Sequence, residues 1–219
     1  MTPATPTLRL ERALWGEGRI VIACDEVGRG ALAGPVTIGA AVMAPRGGRP
    51  RVPDGLRDSK LIPEARRDLG AARAGAWVDA SALGWATSAE IDEIGITRAL
   101  GRAAHRAIDG LRAQGVPVAE AIVILDGSHD YISAAGPLEC PVRPVVKADR
   151  DCASAAAASV LAKVARDGLM VDLHEGSPVY VWDRNKGYAS AAHRAAIVEH
   201  GMSDHHRASW AIVGAPALF

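Results

Sequence analysis

Hydrophobic and polar positions along the chain fall into two periods. Arg19-Ile20-Val21-Ile22-Ala23-Cys24 is a short apolar run rich in β-branched residues, which predicts a buried strand. Pro35 to Met43, Ala121 to Leu125 and Arg143 to Lys147 predict three more strands, and Trp77 to Ala89 is weakly strand-like. The helical period governs Ala89 to Gln114, where Ile91, Ile94, Leu100, Ala104, Ile108 and Leu111 recur at spacings of three and four in an otherwise helical pattern. Gly115-Val116-Pro117 ends that segment. Ala153 to His174 is Ala-rich and predicts a long helix, and Ala189 to His200 predicts a last one. Another helix is expected to start near Pro63, capped by Ser59 or a neighbour. Residues 1–8 are rich in Pro and Thr and are expected to be loose, and Ala44 to Pro53 reads as an exposed loop.

Strands come first and then alternate with helices. That order predicts an α/β fold, a mixed sheet with helices on its faces. The 219 residues suit one large domain with a small appendage. The expected division is a flexible lead-in over 1–18, a main domain over 19–175 and a helical extension over 176–219. Hydrophobic residues make up 49% but aromatic ones only 4%, so the core should be built from small and aliphatic side chains. Lys+Arg and Asp+Glu balance at 25 each, which excludes an overall basic footprint and requires any polyanion site to be local. Three cysteines without CxxC spacing argue for a reducing compartment. Met1 to Leu8 lacks the basic start and apolar core of a signal peptide, and no apolar stretch reaches the ~20 residues of a membrane span. A cytoplasmic protein without a membrane role is expected, and nothing demands more than a monomer.

Three of the apolar runs lead into acids: Asp25-Glu26, Asp126 and Asp149. In an open α/β sheet, ligands gather beyond one end of the strands, so these acids can converge. Carboxylates without His or Cys favour Mg²⁺ or Mn²⁺. Four of them suffice for two ions about 4 Å apart, clamping the attacking and leaving oxygens of a phosphoryl displacement. Adjacent strand residues point to opposite faces, so Asp25 and Glu26 share a site only if the strand ends or twists there. The competing reading is that these acids cap loops or pair with Arg29, Lys147 or Arg150.

Several other patterns carry less. Gly28-x-Gly30-x-x-Ala33 matches a dinucleotide fingerprint in letters, but a strand-like run follows where that motif needs a helix. Its pyrophosphate would also lie against Asp25 and Glu26. Asp204-His205-His206-Arg207 reads as a polar turn before it reads as a transition-metal site. Ser59 and Ser154 lack the pattern of a triad. The arginine-rich stretch from Arg46 to Arg67 is either a local phosphate-facing patch or, in its Arg46–Arg51 loop, a solvated face. Cys24 reads as a small core residue.

Taken together, the segments resemble ribonuclease HII. The resemblance is carried by Asp25-Glu26-Val27-Gly28-Arg29-Gly30, Ala33-Gly34-Pro35-Val36, Asp58-Ser59-Lys60, Leu125-Asp126-Gly127 and Val146-Lys147-Ala148-Asp149. It continues in Ser159 to Asp167, Asn185-Lys186-Gly187-Tyr188 and His206-Arg207-Ala208-Ser209-Trp210, in order from about residue 19 to 213. It implies an RNase H-like catalytic domain with a C-terminal helical extension. The implied activity is cleavage of the RNA strand in RNA/DNA hybrids and at single ribonucleotides in duplex DNA, leaving 3′-hydroxyl and 5′-phosphate ends.

It also places the four metal-binding acids on Asp25, Glu26, Asp126 and Asp149. The loop that reads the ribose 2′-hydroxyl and scissile phosphate falls on Gly28, Arg29 and Gly30, and the junction-sensing tyrosine on Tyr188. Lys60, Lys147 and Lys163 are candidate phosphate contacts. Val27, Ser128 and Arg150-Asp151-Cys152 depart from the family pattern, but none removes an acid. Mechanistically, Asp25 is expected to bridge two ions, with Glu26 and Asp126 completing one and Asp149 the other. Two rivals are a binding module that has lost catalysis and an ATP-dependent or phosphatase enzyme. The second needs a nucleotide loop, and GxxxxGK[ST] is absent.

Overall fold

A computed structural model describes residues 5–48 and 50–210. Its elements in chain order are α1 (Arg9–Gly16), β1 (Ile20–Val27), β2 (Val36–Met43), α2 (Glu64–Trp77), β3 (Ala80–Ala86), α3 (Ser88–Ile94) and α4 (Ile96–Ala113). These are followed by β4 (Ala121–Asp126), β5 (Val142–Val145), α5 (Ala148–Asp151), α6 (Ala153–Gly176), α7 (Trp182–Asn185) and α8 (Ala191–His200). The strands form one sheet of order β3-β2-β1-β4-β5. β1–β2 and β2–β3 pair antiparallel, whereas β1–β4 and β4–β5 pair parallel. The expected mixed sheet is therefore present, with β1 at its centre.

The two faces of the sheet bury separate cores. Ile22, Cys24, Val123 and Leu125 pack under Leu100, Ala104, Ile108 and Leu111 of α4. Val21, Ala23 and Ile124 pack on the opposite side against Ala155, Ala156 and Ala158 of α6. Small α6 residues let the helix lie close to the sheet, which is why an alanine-rich segment serves as a core here. A third cluster joins Leu32, Ala33 and Met170 to Tyr180, Trp182, Ala196 and Ile197. It fixes the segment after α6 onto the β1–β2 connection.

The structure corrects several expectations. Residues 9–16 are not loose: Leu8 and Leu14 are buried, and Trp15 Nε1 donates to the Met43 carbonyl at 3.0 Å. Glu11 accepts from the backbone N and the Oγ of Ser154 at 2.9 and 2.7 Å, so α1 caps the start of α6. Residues 1–4 of the lead-in and 211–219 of the extension lie outside the described residues. The helical pattern from Ala89 to Gln114 is broken at Gly95, whose φ of 77° does not fit a helix. Ser59 caps no helix. Asp58 caps the short 3-10 turn Ser59–Leu61, and α2 begins after Pro63 without a side-chain cap.

Candidate active site

β1 carries both acids of the Asp25-Glu26 pair and runs on to Val27 rather than ending before them. Beyond Cys24 it stays paired with β2, through Asp25↔Gly39 and Glu26↔Ile38, while its pairing with β4 stops at Cys24↔Leu125. Side chains still alternate through the pair, but β1 has lost its β4 neighbour beyond Cys24, and both carboxylates line one cavity at this open edge. Asp25 follows Val21 and Ala23 onto the α6 face beside Ser159, and its Oδ1 accepts from the Glu26 amide at 2.8 Å. Glu26 follows Ile22 and Cys24 onto the α4 face. There Tyr131 Oη donates to Glu26 Oε2 at 3.2 Å and Arg29 Nη1 to Oε1 at 3.4 Å.

Asp126 ends β4, as expected, but Asp149 does not end a strand. β5 stops at Val145, and Lys147 takes a left-handed backbone (φ 62°) that turns the chain into α5. The Asp149 amide then donates to Asp126 Oδ1 at 3.3 Å, which brings these two acids together.

A cavity of about 380 Å³ opens beside β1. Asp25, Glu26, Gly28, Arg29, Gly30, Lys60 and Tyr188 line it, together with Ser59, Ser159 and Lys163. Asp126 and Asp149 lie alongside without lining it. Lys147 is exposed and stays outside, and Lys163 is tied to both oxygens of Asp167 at 2.6 Å.

The electrostatics mark a concentration of uncompensated negative charge. Burial pushes the Asp25 carboxyl well above its ordinary value, and Asp126, Glu26 and Asp149 push it further against the Ser159 hydrogen bond. Asp149 is raised to about 6 by burial and by Asp126. Lys60 responds in the opposite sense. Burial lowers its affinity for a proton, but Asp58, Asp25, Asp149 and Asp126 outweigh that and raise it.

Among the described residues no three acids, histidines or cysteines stand close enough to form a preassembled metal cluster. In donor chemistry, however, the site fits hard divalent cations. It offers carboxylate oxygens whose mutual repulsion a cation relieves.

Two residues that the sequence reading quoted without a role hold the glycine loop. Gly28 has φ 85°, and a Cβ there would lie 2.1 Å from Arg166 Nε. Arg166 itself is fully buried and donates to the carbonyls of Pro35, Lys186 and Ala33. Arg207, also fully buried, donates to the carbonyls of Arg29, Gly28 and Gly34 at 2.8, 2.6 and 3.1 Å. Tyr188 closes the arrangement. The Gly28 amide donates to its Oη at 3.2 Å, and the Arg166 guanidinium lies 5.5 Å from its ring centre.

A family model for ribonuclease HII matches residues 22–213. The chain belongs to the ribonuclease HII family. Ribonuclease HII of Streptomyces griseus is 46% identical over 96% of this chain and 86% of that protein. Among solved structures, ribonuclease H2 of Pyrococcus horikoshii OT3 is 25% identical with a TM-score of 0.65, covering 88% of this chain and 94% of that one. Bst-RNase HIII in complex with Mn²⁺ shares the fold at a TM-score of 0.65 and 20% identity, over 84% of this chain and 63% of that one. The protein is thus a ribonuclease H with an RNase H-like mixed sheet, of a family that cleaves RNA in RNA/DNA hybrids. No helix among the described residues is long and apolar enough to cross a membrane.

In this ribonuclease HII chain the His205-His206 pair serves packing. Ser203 N donates to His206 Nδ1 at 2.9 Å, which assigns the other proton to Nε2, 3.0 Å from His193 Nε2. His193 Nδ1 in turn donates to the Tyr188 carbonyl at 2.9 Å. Burial lowers His206 to about 4, and His193 adds to the effect. The folded protein therefore holds this proton less tightly than the unfolded chain does. Stability from His206 is complete above about pH 6.5 and is lost as the pH falls towards about 4. The His206 contribution, read as the melting-temperature difference between wild type and His206→Asn, should shrink as the pH is lowered across that window.

Proposed function

We propose that this protein is an endonuclease that hydrolyses the RNA strand of RNA/DNA hybrids and cuts 5′ of single ribonucleotides in duplex DNA. The products carry 3′-hydroxyl and 5′-phosphate ends, and the work served is removal of ribonucleotides and primer RNA during replication and repair. One observation carries the reading: Asp25 and Glu26 line the same cavity as the Gly28-Arg29-Gly30 loop and Tyr188. The loop brings main-chain groups within reach of a single sugar, and the 2′-hydroxyl is what distinguishes RNA from DNA there. Tyr188 presents a ring that stacks on the next sugar, where a second 2′-hydroxyl would crowd it. Lys60, raised by the acids around it, is a cation beside the scissile phosphate, with Lys147 a more distant contact.

Asp25, Glu26, Asp126 and Asp149 are the residues that would hold two Mg²⁺ or Mn²⁺ ions. Bound there, such ions lower the pKa of a water and stabilise the leaving 3′-oxygen. Asp25, which has Asp126, Glu26 and Asp149 around it, would be the central holder of this set. One copy of the chain carries all four acids, in keeping with action as a monomer in the cytoplasm.

The test is cleavage of a duplex carrying one ribonucleotide, beside a matched long hybrid, in Mg²⁺ and in Mn²⁺. A cut 5′ of the ribonucleotide that stops in EDTA is expected. Wild-type turnover by Asp126→Asn in Mg²⁺ would overturn the acid assignment. Hydrolysis of ATP without nucleic acid would revive the nucleotide-enzyme reading.

A further inference from the structure

We propose that a second, basic pocket beside the cleavage cavity holds the sugar–phosphate backbone of the bound duplex beyond the cut site; this rests on the nuclease reading above. The pocket lies between the Pro53–Pro63 loop and α2 and has a volume of about 460 Å³, larger than the cleavage cavity. Arg57, Arg66 and Arg73 line it, against the single acid Asp54.

The arginine-rich stretch divides by what its members touch. Arg46 is held by Asp79 and the Trp77 carbonyl, and Arg67 by Asp167 and the Ile62 carbonyl. These two are structural. Arg57, Arg66 and Arg73 make no ion pair with a carboxylate of this chain among the described residues. In a chain with no net charge, three unpartnered guanidiniums in one concavity form a local positive field that attracts anions.

Spacing narrows the ligand class. Arg66 and Arg73 are seven residues apart on α2, which puts them on one face about 10 Å apart along its axis. That is about three steps of a nucleic-acid strand at ~3.4 Å each. Leu61 and Leu69, 43% and 54% exposed, stand beside the arginines and give apolar surface for sugar faces. Position supplies the rest. Asp58-Ser59-Lys60 separates the two cavities, with Lys60 lining the cleavage cavity and Arg57 and Leu61 the basic one. A duplex seated at Asp25 continues across that turn onto the arginines.

The experiment compares wild type with the triple variant Arg57→Ala, Arg66→Ala, Arg73→Ala on single-ribonucleotide duplexes of about 24 and about 8 base pairs. On the long duplex KM should rise on the order of 10-fold with kcat unchanged. The salt dependence of log(1/KM) should flatten by about 2–3, near 0.9 for each phosphate that the variant no longer neutralises. The short duplex should show neither change. Unchanged KM and salt slope on the long duplex, while wild type cleaves it, would overturn the pocket and leave the nuclease reading intact. An equal KM rise on both lengths would also overturn it, by locating the effect in the cleavage cavity. Inhibition of wild type by polyglutamate but not by a non-cleavable DNA duplex would assign the pocket to an acidic protein instead. A wild type that cleaves neither duplex removes the nuclease reading and this site together.

Discussion

Asp25→Asn is expected to lower turnover on a ribonucleotide-containing duplex by ~10³-fold or more, about 4 kcal/mol of barrier, while raising the melting temperature of the metal-free protein. Both effects come from one carboxylate. Asp25 is 6% exposed and sits among Asp126, Glu26 and Asp149, so its charged form is disfavoured by burial and then by repulsion. The folded state therefore binds the Asp25 proton more tightly than the unfolded chain does.

At pH values below the ordinary carboxylate range both states are protonated, and the side chain carries no penalty. As the pH rises through that range the unfolded chain releases its proton first, and the folded state is progressively destabilised. Asparagine keeps the shape and removes the charge. Its stability gain should therefore be present at pH 7 and absent near pH 3.

Divalent metal should invert the order. Wild type gains RT ln(1 + [L]/Kd), about 2.7 kcal/mol at 100-fold excess over Kd, and the variant gains less. Melting curves at both pH values, with and without Mg²⁺, check all four corners. A metal-free Asp25→Asn protein less stable than wild type at pH 7 would mean that the hydrogen bonding of the carboxylate, the Glu26 amide at 2.8 Å included, outweighs the charge penalty at this position.

Much of this site is legible in the chain because strands punctuate it. An apolar β-branched run must stay buried, so the acids that follow Cys24 and Leu125 must lie where the apolar run ends. Asp149 was legible as an acid but not in its setting. The turn that presents it depends on a left-handed Lys147, a conformation that a lysine does not advertise.

The opposed directions of Asp25 and Glu26 follow from strand alternation. What holds Glu26 on its own side, the Tyr131 hydroxyl 105 residues away, does not follow from any local pattern. The role of the two loop-holding arginines was hidden for the same reason: Arg166 and Arg207 reach carbonyls of the Gly28–Pro35 segment more than a hundred residues distant. One signal was available. Ala162 and Met170 flank Arg166 in an i, i+4 row of α6, and an arginine in a buried row needs partners elsewhere. α1 shows the converse case, where a short amphipathic segment with Pro and Thr before it looks like a tail until Glu11 meets the free amides of α6.

Arg207→Met should be the most damaging single change outside the acids. Arg207 makes no ion pair with a carboxylate among the described residues, although burial and the nearby Arg166 both disfavour its charge. Guanidinium is nevertheless charged at neutral pH. Such an arrangement is costly, and its return is a fork that satisfies the Gly28, Arg29 and Gly34 carbonyls at once.

Methionine fills the volume and leaves those acceptors without a donor, at about 1–3 kcal/mol for each one that water does not reach. Lysine brings a point charge but cannot fork, so Arg207→Lys should recover only part of the loss. The catalytic effect should exceed what stability alone predicts. Gly28 and Arg29 are the residues proposed to touch the sugar and phosphate, and a displacement of about 1 Å in a positioning group costs ~10²-fold.

Two buried guanidiniums behind the loop also bias its outward face towards anions, which the methionine variant weakens. Measured at a temperature where Arg207→Met is still folded by circular dichroism, kcat/KM should fall ~10²-fold on a single-ribonucleotide duplex. Arg207→Lys should lie between the variant and wild type. If the methionine variant melts several degrees lower yet cleaves at the wild-type rate while folded, Arg207 stabilises the fold without positioning the loop.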